Sequence, residues 1–354
     1  MDGTALVICD GYFDSPVGKT AHGLVRGTDR YRVLGVIDSA NAGRDAGEVL
    51  DGKPVGISIY RNLGEAMASL PEKPDYLVLG MATDGGVLPS EVRPALVEAL
   101  RLGIDVDSGL HQPLGEDPEL EAAAEAGGAV IRDIRRSKPF DELHFFEGKI
   151  EEVGALRIAV LGTDSAIGKR TTARLLMQEL RARGISTEMI GTGQTAWFQG
   201  LEYCILLDAT INDFVAGEIE HAVHRAWVEK RPRVILLEGQ GCLTNPAFPG
   251  GFELLAAGRP HAVVLQHAPK RRYYDGFPGY ELAGVEREKA IVELLSERPV
   301  VAITINHEEM TAGEVDVAAA EYRKRHGIPA ADPLLHGVED IVAALESRFP
   351  EAFS

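Results

Sequence analysis

Leu156-Arg157-Ile158-Ala159-Val160-Leu161 runs directly into Gly162-Thr163-Asp164-Ser165-Ala166-Ile167-Gly168-Lys169. A short apolar run, a loop bounded by glycines and closed by a lysine, and then a helix-patterned stretch over 171–183 make up the recipe for a phosphate cradle. In that arrangement successive main-chain N–H groups curl around an anion, the helix dipole adds partial positive charge, and the lysine reaches the terminal oxygens. Within the helix pattern Ala173, Leu176, Met177 and Leu180 share one stripe, and Gly184 suits the position after its last turn. A phosphorylated ligand is therefore expected. The competing reading, a glycine-rich strand–helix turn with no ligand, leaves Lys169 without a purpose.

Apolar strands alternate with helical patterns on both sides of this loop. Before it, strands are expected at 5–9, 31–37, 76–80, 104–106 and 129–131, with helices at 88–102 and 116–125. After it, strands are expected at 157–161, 187–190, 234–237, 262–266 and 300–305. Helices are expected at 171–183, 214–230, 282–296, 315–325 and 338–348. Such alternation implies parallel pairing and doubly wound sheets. The pattern breaks between 135 and 155, around Ser137-Lys138-Pro139 and Glu147-Gly148-Lys149. The predicted organisation is α/β throughout: a Rossmann-like N-terminal domain over 1–152, then a P-loop NTPase-like doubly wound parallel-sheet domain over 153–354.

Composition narrows the choice of partners. The chain has 354 residues, 45% hydrophobic and 25% charged, which suits two domains with real cores. Its formal charge of −18, from 54 acidic and 36 basic side chains, disfavours nucleic acid and anionic membrane surfaces. Cys9, Cys204 and Cys242 build neither a disulfide framework nor a zinc site, so a reducing cytoplasm is expected. No opening secretory signal is expected, and no apolar run approaches the roughly 18 residues of a membrane span.

The cradle departs from the common Gly-x-x-x-x-Gly-Lys-Ser/Thr form in two ways. Five residues separate its glycines, and Arg170 stands where a hydroxyl residue would hold Mg²⁺. Thr171 or Thr172 could stand in, although each is displaced from that position by at least one residue. Anion binding is strengthened by the added cation, while metal-dependent hydrolysis is weakened. Glu238, in Leu237-Glu238-Gly239-Gln240-Gly241, ends a strand where α/β sheets bind ligands. It is a candidate base or Mg²⁺ ligand, against a turn-capping carboxylate.

Gly191-Thr192-Gly193-Gln194-Thr195 follows another strand, and Asn306 a further one. An amide such as Asn306 pairs with adenine through donor and acceptor together, against the reading of a turn asparagine. Asp208 and Asp213 precede a helix, for which Asp213 is also a candidate N-cap. His221 and His224 share that helix with Glu218 and Glu220, either as metal ligands or as a solvated face. Lys270-Arg271-Arg272 is either an anion clamp or a surface charge run. In the first half, Gly11 to Gly18-Lys19-Thr20 imitates a phosphate loop with six residues between glycines, and Ser108-Gly109-Leu110-His111 follows a strand.

The loop Gly-Thr-Asp-x-x-x-Gly-Lys is similar to that of dethiobiotin synthetase and its relatives, which also carry Glu-Gly near the position of Glu238 and use an asparagine near Asn306 to read a nucleobase. Taken together, Gly18-Lys19-Thr20-Ala21, Ser108 to His111, Gly162 to Lys169, Gly191 to Thr195 and Glu238 to Gly241 resemble the D-glutamate N-acetyltransferase family across most of both halves.

That resemblance implies acetyl-CoA as acetyl donor, its phosphates bound by residues 162–171, and D-glutamate as acceptor in D-amino-acid catabolism. Glu238 is then the first candidate base and Asp213 the second, with Lys169 beside the reaction. Gly239, Gln240 and Gly241 offer N–H donors to an oxyanion, Gln194 faces the same crevice, and Arg271 with Arg272 would grip two substrate carboxylates. The alternatives are an ATP-dependent ligase or ATPase in which Asp213 and Glu238 hold Mg²⁺, and a nucleotide- or CoA-sensing protein without turnover. A homo-oligomer is expected by analogy.

Overall fold

The computed structural model describes every residue from Met1 to Ser354. It divides into two compact units: Met1–Lys138 with Gly193–Glu202, and Pro139–Thr192 with Tyr203–Ser354.

The first unit is built on β1 (Gly3–Ile8), β2 (Tyr31–Ile37), β3 (Ile59–Tyr60), β4 (Tyr76–Leu79), β5 (Asp105–Ser108) and β6 (Ile131–Asp133). Their order is β3-β2-β1-β4-β5-β6, with every neighbouring pair parallel. This is the strand order of dinucleotide-binding sheets. Ala5 to Ile8 and Leu77 to Leu79 are fully buried, as central parallel strands covered on both faces must be.

The second unit contains β7 (Leu156–Gly162), β8 (Thr187–Gly191), β9 (Tyr203–Cys204), β10 (Val234–Glu238), β11 (Ala262–His267), a hairpin of β12 (Tyr273–Tyr274) and β13 (Phe277–Glu281), then β14 (Val300–Ile305) and β15 (Ala330–Ala331). Its parallel sheet runs β15-β14-β11-β7-β10-β8-β9. All residues of β7, β10, β11 and β14 are buried. The phosphate loop therefore leaves the centre of the sheet, with β10 on one side and β11 on the other.

Each expected strand has a counterpart, although the one expected at 129–131 lies two residues later, at Ile131–Asp133. The helix expected at 116–125 is Pro118–Gly127, because Asp117 caps it by accepting from the N–H groups of Glu119 and Leu120. The one expected at 315–325 starts earlier, at Ala312, behind a capping box between Thr311 and Glu314.

Residues 139–152, expected to be a connection at the end of the first domain, are part of the second unit. Two buried carboxylates on the helix Val215–Lys230 strap them down. Glu218 accepts from His144 N at 2.9 Å and Nδ1 at 2.8 Å, and Glu220 accepts from Glu147 N at 2.7 Å and Ile150 N at 3.1 Å. The two histidines of this helix are engaged as well. His221 stacks on His144 with ring centroids 3.4 Å apart, and His224 meets Glu152 at 3.1 Å. No group of His, Cys, Asp and Glu in the structure is placed to hold a metal ion.

The segment Gly193–Glu202 lies between β8 and β9 in sequence but packs with the first unit. Phe198 of the short helix Gln194–Phe198 is fully buried in the apolar core of that unit. Two glycines make room for it. A Cβ on Gly109 would lie 2.2 Å from Gln194 Oε1, and one on Gly23 would lie 2.5 Å from Thr195 Cγ2.

Candidate functional site

The phosphate loop is shaped by two positive φ values, 51° at Ala166 and 95° at Gly168. Glycine adopts such a conformation freely; alanine does so only when its surroundings hold it there. Thr163 N bonds Gln266 O, and Ser165 N bonds the Asp164 carboxylate. The N–H groups of Ala166, Ile167, Gly168 and Arg170 have no main-chain acceptor. The helix Lys169–Ala182 then begins, so the loop ends at the positive pole of a 14-residue helix.

Asp164 anchors the loop. It is fully buried, and its carboxylate takes Asn245 Nδ2 at 3.0 Å, Arg271 Nη1 at 3.0 Å and Asp275 N at 2.9 Å. Arg271 also donates to Ser165 O at 2.9 Å and pairs with Glu308 at 2.6 Å. Burial works against the Arg271 charge, yet Glu308 and Asp164 outweigh it and hold the guanidinium above its usual range. Asn306 is a second brace: its Nδ2 donates to Ile167 O at 2.9 Å, and its Oδ1 accepts from Glu308 N at 2.8 Å. Each end of that amide is therefore bonded once to the protein.

Lys169 is buried, and its ammonium donates to Asp164 O at 2.5 Å and Gly241 O at 2.8 Å. It thus spans from the cradle to the turn after β10. Arg170 crosses the same gap: its Nη2 lies 2.6 Å from Glu238 Oε1. Glu238 is only 2% exposed, and its Oε2 has no hydrogen-bond partner; neither has the buried Nε of Arg170. One buried donor and one buried acceptor thus remain unfilled beside a cradle of main-chain N–H groups. An unfilled buried polar atom is costly in a finished core and characteristic of a place where a ligand completes the set.

The other predicted site residues are distributed less simply. Thr172 donates to Gln266 Oε1 at 2.5 Å, as does Thr304, so both hydroxyls are turned toward β11. The Gly239 N–H bonds Val160 O in the sheet, leaving Gln240 and Gly241 with available N–H groups. Gly241 must be glycine, since a Cβ would lie 2.0 Å from Phe248 O.

Arg271 and Arg272 do not form a pair. The first is 10% exposed and locked to the loop; the second is 71% exposed and bound to Glu281. Asp213 lies in an exposed turn, Asn212–Phe214, and Phe214 rather than Asp213 occupies the N-cap position of the following helix.

Gln194 belongs to the first unit, where its Nε2 donates to Thr20 Oγ1 at 3.1 Å and Thr20 also meets Thr195 Oγ1 at 2.9 Å. The hydroxyl after Lys19 is thereby engaged with the helix Gln194–Phe198. Asp38, placed where dinucleotide-binding sheets carry their ribose ligand, is likewise spent on Gly11 N at 2.7 Å and on Asn41. His111 is exposed and bonds Arg135.

Several residues that position the site carry little sequence signal. Asn245, Asp275 and Glu308 sit in irregular loops. Glu288 lies buried beneath the turn after β10, accepting from Leu243 N at 2.7 Å and Thr244 Oγ1 at 2.6 Å. Burial pushes its carboxyl up. Gln266 was legible: it is a polar residue in the otherwise apolar run 262–266.

Residues 39–137 match the Rossmann-like domain of the DUF1611 proteins, and residues 144–342 match their P-loop domain. A D-glutamate N-acetyltransferase of Tritonibacter scottomollicae is 34% identical over 76% of this chain and 80% of its own length. The chain belongs to the D-glutamate N-acetyltransferase family. On that ground it is an enzyme, an N-acetyltransferase. A second member of the family, from a Pseudoalteromonas species, is 30% identical over the same shares. The crystal structure of a DUF1611 family protein from Anabaena variabilis superimposes with a TM-score of 0.87 at 27% identity, covering 97% of this chain and 99% of that one.

Proposed function

We propose that this member of the family transfers the acetyl group of acetyl-CoA to the amino group of D-glutamate, with the phosphates of the donor held by residues 162–170. The reading rests on the Arg170–Glu238 pair at 2.6 Å. A guanidinium fills the position from which an ordinary phosphate loop presents a Mg²⁺-binding hydroxyl, so the cradle brings its own cation. Main-chain N–H groups, Lys169 and Arg170 suit a diphosphate or a 3′-phosphate without a metal.

The unfilled Oε2 of Glu238 is the acceptor for the amine. A substrate ammonium gives its proton to this carboxylate, and the freed nitrogen lone pair attacks the thioester carbonyl. The oxyanion meets the N–H groups of Gln240 and Gly241. As the tetrahedral intermediate collapses, the C–S bond breaks, the amide forms, and the thiolate takes up a proton to give CoA. An acyl-cysteine route has no support: burial, with Glu288 adding to it, pushes the Cys242 thiol up to about 11, so it is not a thiolate at neutral pH. All three cysteines are free thiols, and the proposed setting is D-amino-acid breakdown in a reducing cytoplasm. No helix is long and apolar enough to cross a membrane.

The test is product formation from D-glutamate and acetyl-CoA in EDTA, followed by mass spectrometry. N-acetyl-D-glutamate forming at the same rate with and without chelator is expected. ADP release that requires Mg²⁺, with no acetylated product, would replace this reading by the ligase one.

A further inference from the structure

The amino ends of β7, β10 and β11 border a second cavity, of about 500 Å³. Two of these parallel strands, β7 and β10, carry the phosphate loop and Glu238 at their carboxyl ends, so the cavity opens at the opposite edge of the sheet. Its walls include Trp227, Arg231, Arg233, His261, Arg348 and Phe349.

The charge here runs against the rest of the molecule. In a chain of net charge −18, Arg231, Arg233 and Arg348 converge on one cavity without an ion-pair partner. Glu351, at the exposed end of the chain, is the one carboxylate on the wall. The cavity is also shaped. The Arg231 guanidinium lies over the Trp227 ring, 4.7 Å from its centre. Gly154 lets the indole sit against the backbone, since a Cβ there would approach it to 3.0 Å.

His261 is fixed as a donor. Its Nδ1 accepts from Arg157 N at 3.0 Å, which leaves the proton on Nε2. Burial, with Arg157 and Arg298 adding to it, pushes this imidazole down to about 4, so it remains a neutral N–H donor. Burial also lowers Arg157, against the opposing pull of Glu151 and with Arg259 and Arg298 adding to the effect.

We propose that this cavity is a second binding site, for a small organic polyanion bearing phosphate or carboxylate groups. Guanidinium groups in a concave wall take such groups bidentately, and the imidazole N–H and indole add a directional donor and an apolar face. The site is independent of the acetyl-transfer reading, because none of its residues belongs to the cradle.

Trp227 reports on occupancy. Trp197 is the only other tryptophan, so a Trp197→Phe chain isolates the Trp227 emission. Titration of the full chain with pyrophosphate and, separately, with citrate should give a saturable change, with KCl at matched ionic strength giving none. The stronger of the two arms identifies phosphate or carboxylate as the preferred group. Arg231→Gln with Arg348→Gln should weaken binding by about tenfold or more, whereas Lys169→Ala should leave it unchanged. Calorimetry on the chain with Trp197 intact repeats the measurement should Trp197→Phe unfold. The proposal is overturned if neither anion binds above the KCl control, if the arginine variants bind as well as the parent, if Lys169→Ala abolishes the signal, or if the arginine variants change the sedimentation coefficient instead of the affinity.

Discussion

Arg170 and Glu238 meet across the gap between the phosphate loop and the end of β10, and each keeps one buried polar atom without a partner. A pair of this kind holds its charges in place while leaving valences for something else. Removing the carboxylate charge alone is the most direct trial of its role. Glu238→Gln should lower kcat by about 10²- to 10⁴-fold, the usual scale for losing a general base. The affinity for CoA, measured by calorimetry, should change little. Full turnover at saturating substrate would remove Glu238 from the chemistry.

Arg170→Ser restores the hydroxyl of an ordinary phosphate loop at the expense of the ion pair. Glu238 is then a buried carboxylate without its cation, which costs about 3–5 kcal/mol. A marked fall in Tm is expected, together with a raised KM for the acyl donor. Adding Mg²⁺ should restore neither. Recovery of donor binding with Mg²⁺ would mean that the guanidinium merely covers a metal site.

The imidazole of His267 donates a pH dependence to stability. It is buried at the end of β11, with Nδ1 2.8 Å from Thr163 Oγ1. Burial, with Arg271 adding to it, pushes the group down from 6.5 to about 4. The unfolded chain therefore binds this proton more readily than the folded one. The contribution is complete above pH 6.5 and is lost as pH falls toward 4. A difference of this size amounts to on the order of 3 kcal/mol. His267→Asn should flatten the slope of Tm against pH in that window; an unchanged slope would assign the acid sensitivity elsewhere.

Cys242 lies in the turn that also supplies Gly241, which makes it a tempting nucleophile. With its thiol pushed up to about 11 it should react slowly with iodoacetamide at pH 7.5. Cys242→Ala should retain turnover within about threefold, since direct transfer uses the amine as nucleophile. Accumulation of an acetylated Cys242 peptide in a quenched reaction would contradict this.

Much of the fold was legible because buried parallel strands are continuous apolar runs, and β1, β2, β4, β7, β10, β11 and β14 all read that way. Short edge pieces such as β3, β9 and β15 have only two residues each and leave no periodicity to detect. The loop and Glu238 were legible because their chemistry is local: a glycine-bounded turn with a lysine, and an acid ending a strand. The bracing of Asp164 was not, since Asn245, Arg271 and Asp275 reach it from 81 to 111 residues away in sequence. Arg271 and Arg272 show the limit most clearly. Adjacent in sequence just before β12, they have opposite exposures, and only one of them touches the loop.

Phe198 fills the heart of a unit from which it is separated by more than fifty residues of other structure. A gene cut after codon 138 would therefore encode a protein with a hole where an aromatic ring belongs, and recombination could not exchange either half as a self-sufficient cassette. Inheritance of the two halves is tied together by ten residues.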